Sequence, residues 1–207
     1  MAERLLVLVR HGESEWNNAG RFAGQSDIDL TATGVAQARA AGQRLKAAGL
    51  RFNLGFSSTL KRAWRTLELM LEELGQADIP IIRDARLDER HYGELNGLTR
   101  AEAISRWGEA QVHAWRRSYD ARPPGGESLK DTAARVQPYY AGVILPRVLN
   151  GDRVVVAAHN NSLRALVMAL ERLDEISIVG RELGTAAPLA FRLNADGTVA
   201  ERIDLAG

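Results

Sequence analysis

The stretch Val9-Arg10-His11-Gly12-Glu13-Ser14-Glu15-Trp16-Asn17 sets a guanidinium, an imidazole and two carboxylates side by side, directly after the apolar run Leu5–Val9. His11 is a candidate nucleophile. A neutral imidazole attacks phosphorus through one ring nitrogen when the other is held as a donor to a backbone carbonyl, which fixes the tautomer. Arg10 offers a forked donor that matches the oxygens of a bound anion, and Gly12 permits a close backbone approach. Two more segments repeat the pattern of an apolar run followed by polar groups. Thr59–Arg62 follows Asn53–Ser57, and His159 follows Arg153–Ala157. Taken alone, His11 reads as a strand-end histidine satisfying a loop, and Arg62, beside Lys61 and Arg65, as a solvated helix residue.

Positioning such groups needs strands that end on one edge. Leu5–Val9 reads as a buried parallel strand, and open α/β sheets place ligands at the carboxyl ends of their strands. Strand-like runs alternate with amphipathic helices, which predicts an α/β three-layer sandwich with a mostly parallel central sheet. Helices are expected over Ala32–Ala48 (N-cap Thr31, stop Gly49), Leu60–Leu74 (stop Gly75), Ala101–Trp107, Glu109–Tyr119, Glu127–Leu149 and Ser162–Leu173. Pro138 and Pro146 should bend or break the long one. Ile79–Ile82, with Pro80, reads as an edge strand. Leu189–Leu193 and Val199–Ile203 read as a closing hairpin. Helix N-termini and converging arginines at one sheet edge would make a dianion site.

With 207 residues, 45% hydrophobic content and a net charge of +1, residues 1–207 suffice for a single domain with one sizeable core. The charge balance argues against nucleic acid or membrane partners. The absence of cysteine excludes disulfides and thiolate chemistry. Neither a leader nor a membrane-length apolar run is visible, so a cytoplasmic protein is expected. His91 and His113 have no partners at ligand spacing, so no metal is expected. Trp16 and Trp64 read as packing residues.

The Arg-His-Gly-Glu-Ser run resembles the signature of the histidine phosphatase superfamily, in which the histidine is phosphorylated during turnover. The continuation Glu-Trp-Asn resembles its cofactor-dependent phosphoglycerate mutases. Ser57-Ser58-Thr59-Leu60-Lys61-Arg62-Ala63 is similar to the family's second signature. Glu89–Leu98 and Trp115–Pro124 resemble mutase-specific segments, and Ala157–Leu166 resembles the segment around the second histidine. The resemblance implies that Arg10, His11, Arg62, Glu89 and His159 are the catalytic group. Glu89 serves as proton donor and acceptor, and a protonated His159 donates to the phosphoryl oxygens. Spacing alone does not separate Glu89 from Glu13 and Asp88; the resemblance does. It further implies substrate contacts from Ser14, Asn17, Ala23, Gly24, Arg90, Tyr92, Arg100, Asn160 and Asn161. Arg116 and Arg117 would grip the end of the substrate that does not react, on a segment that Trp107 and Trp115 pack as a lid.

The implied activity is interconversion of 2- and 3-phosphoglycerate through phosphohistidine at His11. The primer is 2,3-bisphosphoglycerate, the substrates are small phosphorylated three-carbon acids, and a homodimer or higher homo-oligomer is compatible. The rival readings are a broad-specificity histidine phosphatase and a catalytically idle binding module. Three positions depart from the family pattern: Arg100 for lysine, Ala23 for threonine and Asn160 for glycine. The Pro-Pro-Gly-Gly junction before Glu127 lacks a long insertion, and the chain stops soon after its last strand. Both shortenings predict a more open pocket that admits water.

Overall fold

The computed structural model describes residues 3–206. β1 (Leu5–Arg10), β2 (Leu54–Ser57), β3 (Ile81–Arg83) and β4 (Val154–Ala158) run parallel, and β5 (Leu189–Leu193) and β6 (Val199–Asp204) add an antiparallel hairpin. The six-stranded order is β3-β2-β4-β1-β5-β6. β1 therefore sits between β4, with Leu6 opposite Val154, and β5, with Leu6 opposite Phe191.

The two-residue repeat of a strand sends alternate side chains of β1 to opposite faces. Leu6 and Leu8 join a core with Val136 and Ile144 and with Leu163 and Leu166. Leu5, Val7 and Val9 join a second core with Ala41, Leu45, Leu67 and Met70. One face is thus covered by α6 (Leu129–Tyr139), α7 (Leu145–Leu149) and α8 (Asn160–Glu171), the other by α2 (Ala32–Ala47) and α3 (Lys61–Leu74). This is the three-layer α/β sandwich that the alternation predicts. Thr31 caps α2 by accepting from Gly34 N–H, and Gly75 ends α3 at φ 65°, the left-handed conformation that glycine adopts without strain.

Several boundaries differ from the sequence reading by a residue or two, and three bear on the packing. β3 begins after Pro80, whose carbonyl accepts from Gly55 N–H at 2.9 Å; the proline bonds without having an N–H to give. The long helix is not broken at Pro138. It widens into one π turn over Tyr140–Ile144 and continues as α7, with Pro146 just beyond the π turn, a local change of hydrogen-bond register beside a residue that has no N–H to give. α8 starts two residues earlier than expected, directly after His159. Two short helices carried no signal clear enough to predict: α1 (Glu15–Asn18) and α9 (Glu175–Val179).

α4 (Arg100–Trp107) and α5 (Glu109–Arg117) form a separate small cluster with Phe22 and Leu95. Trp107 and Trp115 meet edge to face at 5.6 Å. Among the described residues, no helix is long and apolar enough to cross a membrane.

Candidate active site

His11 leaves the end of β1 with its N–H donating to Ala158 C=O at 3.0 Å. Its Nδ1 lies 2.7 Å from Gly12 C=O. A carbonyl only accepts, so Nδ1 carries the proton and Nε2 keeps its lone pair. Gly12 N–H donates to Thr66 Oγ1 at 3.0 Å, and the Thr66 hydroxyl donates to Arg62 C=O at 2.7 Å. The imidazole is therefore set by Gly12, whose N–H α3 holds and whose carbonyl meets the ring. A Cβ on Gly12 would lie 2.3 Å from Gly34 O, so the glycine is needed for the close approach of this loop to α2.

The His159 ring faces His11 with centroids 5.0 Å apart, and both rings are buried. Burial, then Arg62 and Arg10, lowers the His11 pKa well below its ordinary value; burial, Arg62, His11, Arg10 and Arg135 do the same for His159. Neutrality suits a nucleophile at His11. At His159 it differs from the protonated form expected from sequence: buried among cations, the protein alone holds this ring neutral, and only an arriving dianion would favour its charging. Ser58 Oγ lies 2.7 Å from His159 Nε2 and accepts from Leu60 N–H. Nδ1 of His159 is buried without a partner among the described residues.

Arg10 Nη1 donates to Leu183 C=O at 2.9 Å. Arg62 donates from Nη1 to Ser26 C=O and from Nη2 to Gly24 C=O, both at 2.7 Å. These bonds lock both side chains, yet each leaves a buried Nε–H without a partner among the described residues. Such orphaned donors need an acceptor, and with the unpartnered His159 nitrogen they are chemically suited to a phosphoryl group. The helix N-termini contribute less than expected. Lys61 N–H is taken by Asp27, Thr59 N–H by Asp88 and Asn161 N–H by Glu89.

Geometry separates the three carboxylates that spacing left equal. Glu13 accepts from the Thr31 hydroxyl at 2.7 Å. Asp88 accepts from Thr59 N–H and hydroxyl, and burial raises its pKa. Glu89 lines the cleft with Arg10, His11 and Arg62. Its Oε1 accepts from Arg90 N–H at 2.8 Å and Asn161 N–H at 3.2 Å.

The cleft holds about 370 Å³ and extends from His11 to Arg100 and Arg116. Asn17, Ala23, Gly24, Tyr92 and Asn160 also line it. Other residues expected at the substrate stand behind the wall or at the rim. Ser14 is buried as the N-cap of α1, accepting from Asn17 N–H. Arg90 is buried under Tyr92, 4.8 Å from its ring, and donates to Trp115 C=O. Asn161 is buried and donates to the Tyr92 hydroxyl at 3.2 Å. Arg117 is exposed and pairs with Glu182 at 2.5 Å. Gly20, Arg21, Phe22 and Glu182 line the cleft without having been singled out in the sequence. Ser58 and Thr66 were missed as supports, although Ser58 lies inside the second signature and Thr66 one helical turn after Arg62.

The profile of the histidine phosphatase superfamily (branch 1) matches residues 6–205. The chain belongs to the histidine phosphatase superfamily. Within this superfamily it is 60% identical, over 206 residues and 100% of both chains, to a 2,3-bisphosphoglycerate-dependent phosphoglycerate mutase of Rhodopseudomonas palustris (strain BisB18). It is 62% identical, over 95% of both chains, to an enzyme of the same description in Methylobacterium sp. (strain 4-46). Among solved structures it is similar to a mycobacterial glucosyl-3-phosphoglycerate phosphatase complexed with VO3, with a TM-score of 0.82 and 30% identity over 97% of both chains.

Proposed function

We propose that this histidine phosphatase superfamily member is a 2,3-bisphosphoglycerate-dependent phosphoglycerate mutase, working as a single domain in the cytoplasm on small phosphorylated three-carbon acids. The observation that carries the reading is a cleft lined by arginines. Arg10 and Arg62 line it beside His11, with the His159 ring behind at 5.0 Å, and Arg100 and Arg116 line it as well. Two separated anionic groups on one small molecule fit that arrangement, and the unpartnered Nε–H groups of Arg10 and Arg62 suit the phosphate at the reacting end. When bound, the bisphosphate supplies the phosphoryl group that primes the enzyme.

The chain's own part follows from its donors. His11 Nε2 forms a bond to phosphorus as the phosphorus–oxygen bond breaks. Glu89 gives a proton to the departing oxygen and takes one from the incoming hydroxyl in the return step. Arg10, Arg62 and His159, charged once a dianion is bound, stabilise the equatorial oxygens. Arg116 and Arg117 hold the far group while the intermediate turns over.

A broad-specificity phosphatase is the second reading, and the phosphatase among the structural relatives favours it. An enolase-coupled assay on 3-phosphoglycerate, with and without bisphosphate, run beside a phosphate-release assay separates the two. Isomerisation that depends on bisphosphate, lost together with phosphate release in His11→Ala, is the expected result. Phosphate release without isomerisation in the unaltered enzyme would move the phosphatase to first place. Replacing both Arg116 and Arg117 by alanine should raise the ratio of release to isomerisation. An unchanged ratio would remove their role in retaining the intermediate.

A further inference from the structure

We propose that Glu182 is a specificity-determining residue of this cleft: its carboxylate competes with the ligand's far anionic group for Arg117 and so disfavours ligands carrying two phosphates relative to those carrying one. The proposal rests on the mutase reading and adds to it a residue that sets which phosphorylated ligand is retained.

Glu182 lines an arginine-rich cleft, where Glu89 is the other carboxylate, and bonds Arg117 Nη2 at 2.5 Å, joining the end of α5 to the segment before β5. Arg116, the next side chain on the same helix, lines the cleft and forms no ion pair among the described residues. An incoming anion therefore meets one free guanidinium and one already neutralised. To bond Arg117 through Nη2, the ligand must displace Glu182, and through the other N–H groups it shares the guanidinium with that carboxylate.

The main chain beside Glu182 is tied to the reacting end, so a displaced carboxylate stays rooted at the cleft wall although its side chain is solvent-exposed. Leu183 C=O accepts from Arg10 Nη1 at 2.9 Å, Leu183 N–H reaches Asn160 Oδ1 at 3.4 Å, and Ala186 N–H donates to Arg10 C=O at 2.9 Å. Glu182 then faces the ligand with like charge, and a phosphate dianion suffers more than a carboxylate. Arg117, Arg10 and Arg164 hold the Glu182 carboxyl below its ordinary value, so it is charged at neutral pH. The side chains of Arg117 and Glu182 are 36% and 63% exposed. Water and salt screen such a pair, so the effect is a several-fold one.

Calorimetric titration of the wild type, Glu182→Gln, Arg117→Gln and the double variant with 2,3-bisphosphoglycerate and with 3-phosphoglycerate tests this. Glu182→Gln should tighten bisphosphate binding roughly fivefold at low salt and 3-phosphoglycerate binding less than twofold. The gain should vanish in the Arg117→Gln background. Unchanged or weaker bisphosphate binding in Glu182→Gln, beside normal wild-type binding, overturns the proposal alone and makes the pair a brace for the lid. A gain that persists without Arg117 overturns the competition and leaves a diffuse charge effect. A wild type that binds neither ligand overturns the mutase reading and the proposal together.

Discussion

His11 is aimed by a peptide rather than by a charged side chain. The chain of bonds runs from Arg62 C=O through the Thr66 hydroxyl to Gly12 N–H, and from Gly12 C=O to His11 Nδ1. Thr66→Val keeps the shape and leaves a buried N–H without an acceptor, a loss of roughly 1–3 kcal/mol. We expect lower denaturant stability of that order and a kcat reduced about tenfold with little change in KM, since 1.4 kcal/mol in a barrier is a factor of ~10. A variant with lowered stability and unaltered kcat would show that Thr66 supports the fold without aiming the nucleophile. Glu89 gives the opposite signature. Glu89→Gln cannot exchange the proton yet removes a negative charge from beside the phosphates, so turnover should fall strongly while ligand binding holds or tightens. Weakened binding with normal turnover at saturation would make Glu89 a ligand residue and nothing more.

At the scale of elements, the site depends on how closely the loop after β1 approaches α2. A Cβ on Gly34 would lie 2.0 Å from Glu13 O, so Gly34→Ala must push apart the loop that carries His11. The expected cost is about 1–3 kcal/mol, read as a lowered Tm, together with a fall in kcat. Gly142→Ala, in the π turn where a Cβ meets nothing within 4 Å, should be neutral or stabilising by up to ~1 kcal/mol. Equal effects from the two substitutions would show that the contact is not the reason. Helical periodicity made α2 and α3 legible, an unbroken apolar run made β1 legible, and the turn at Asn194–Gly197 marked the hairpin. Periodicity missed α1 and α9, which are too short to show a period. The family resemblance, not spacing, singled out Arg10, His11, Arg62, Glu89 and His159, but Glu182 and the hidden roles of Arg90 and Asn161 were not legible. Those depend on which wall of the cleft a loop residue ends up in, and that is settled by contacts between residues as distant as Arg117 and Glu182.

For the whole molecule, two buried neutral histidines tie stability to pH. The folded values of His11 and His159 are lowered, while the unfolded chain protonates near the ordinary ~6.5. The unfolded state therefore binds more protons as pH falls below that value. The stabilising contribution is complete above it and is lost on acidification, by up to about 1.4 kcal/mol per pH unit for each ring. Urea unfolding between about pH 7 and pH 5.5 should show the wild type losing stability faster than His159→Asn, which lacks one of the two groups. The comparison cancels other carboxylates, Asp88 among them. Parallel losses in the two proteins would mean that His159 titrates alike in the folded and unfolded chain.

The position of β1 bears on the order in which the molecule can be assembled during synthesis. It leaves the ribosome ahead of the other strands of the sheet, it is apolar on both faces, and its neighbours in the sheet are β4 and β5. Both come from the last third of the chain, so this strand waits until more than 150 residues have been made. A nascent chain arrested after Leu149 would hold Leu5–Val9 unpaired, while α2, β2 and α3 lack the sheet centre on which they pack. Such a chain should be digested by protease throughout and be bound by holdase chaperones. Arrest beyond β6 should release it in a resistant form.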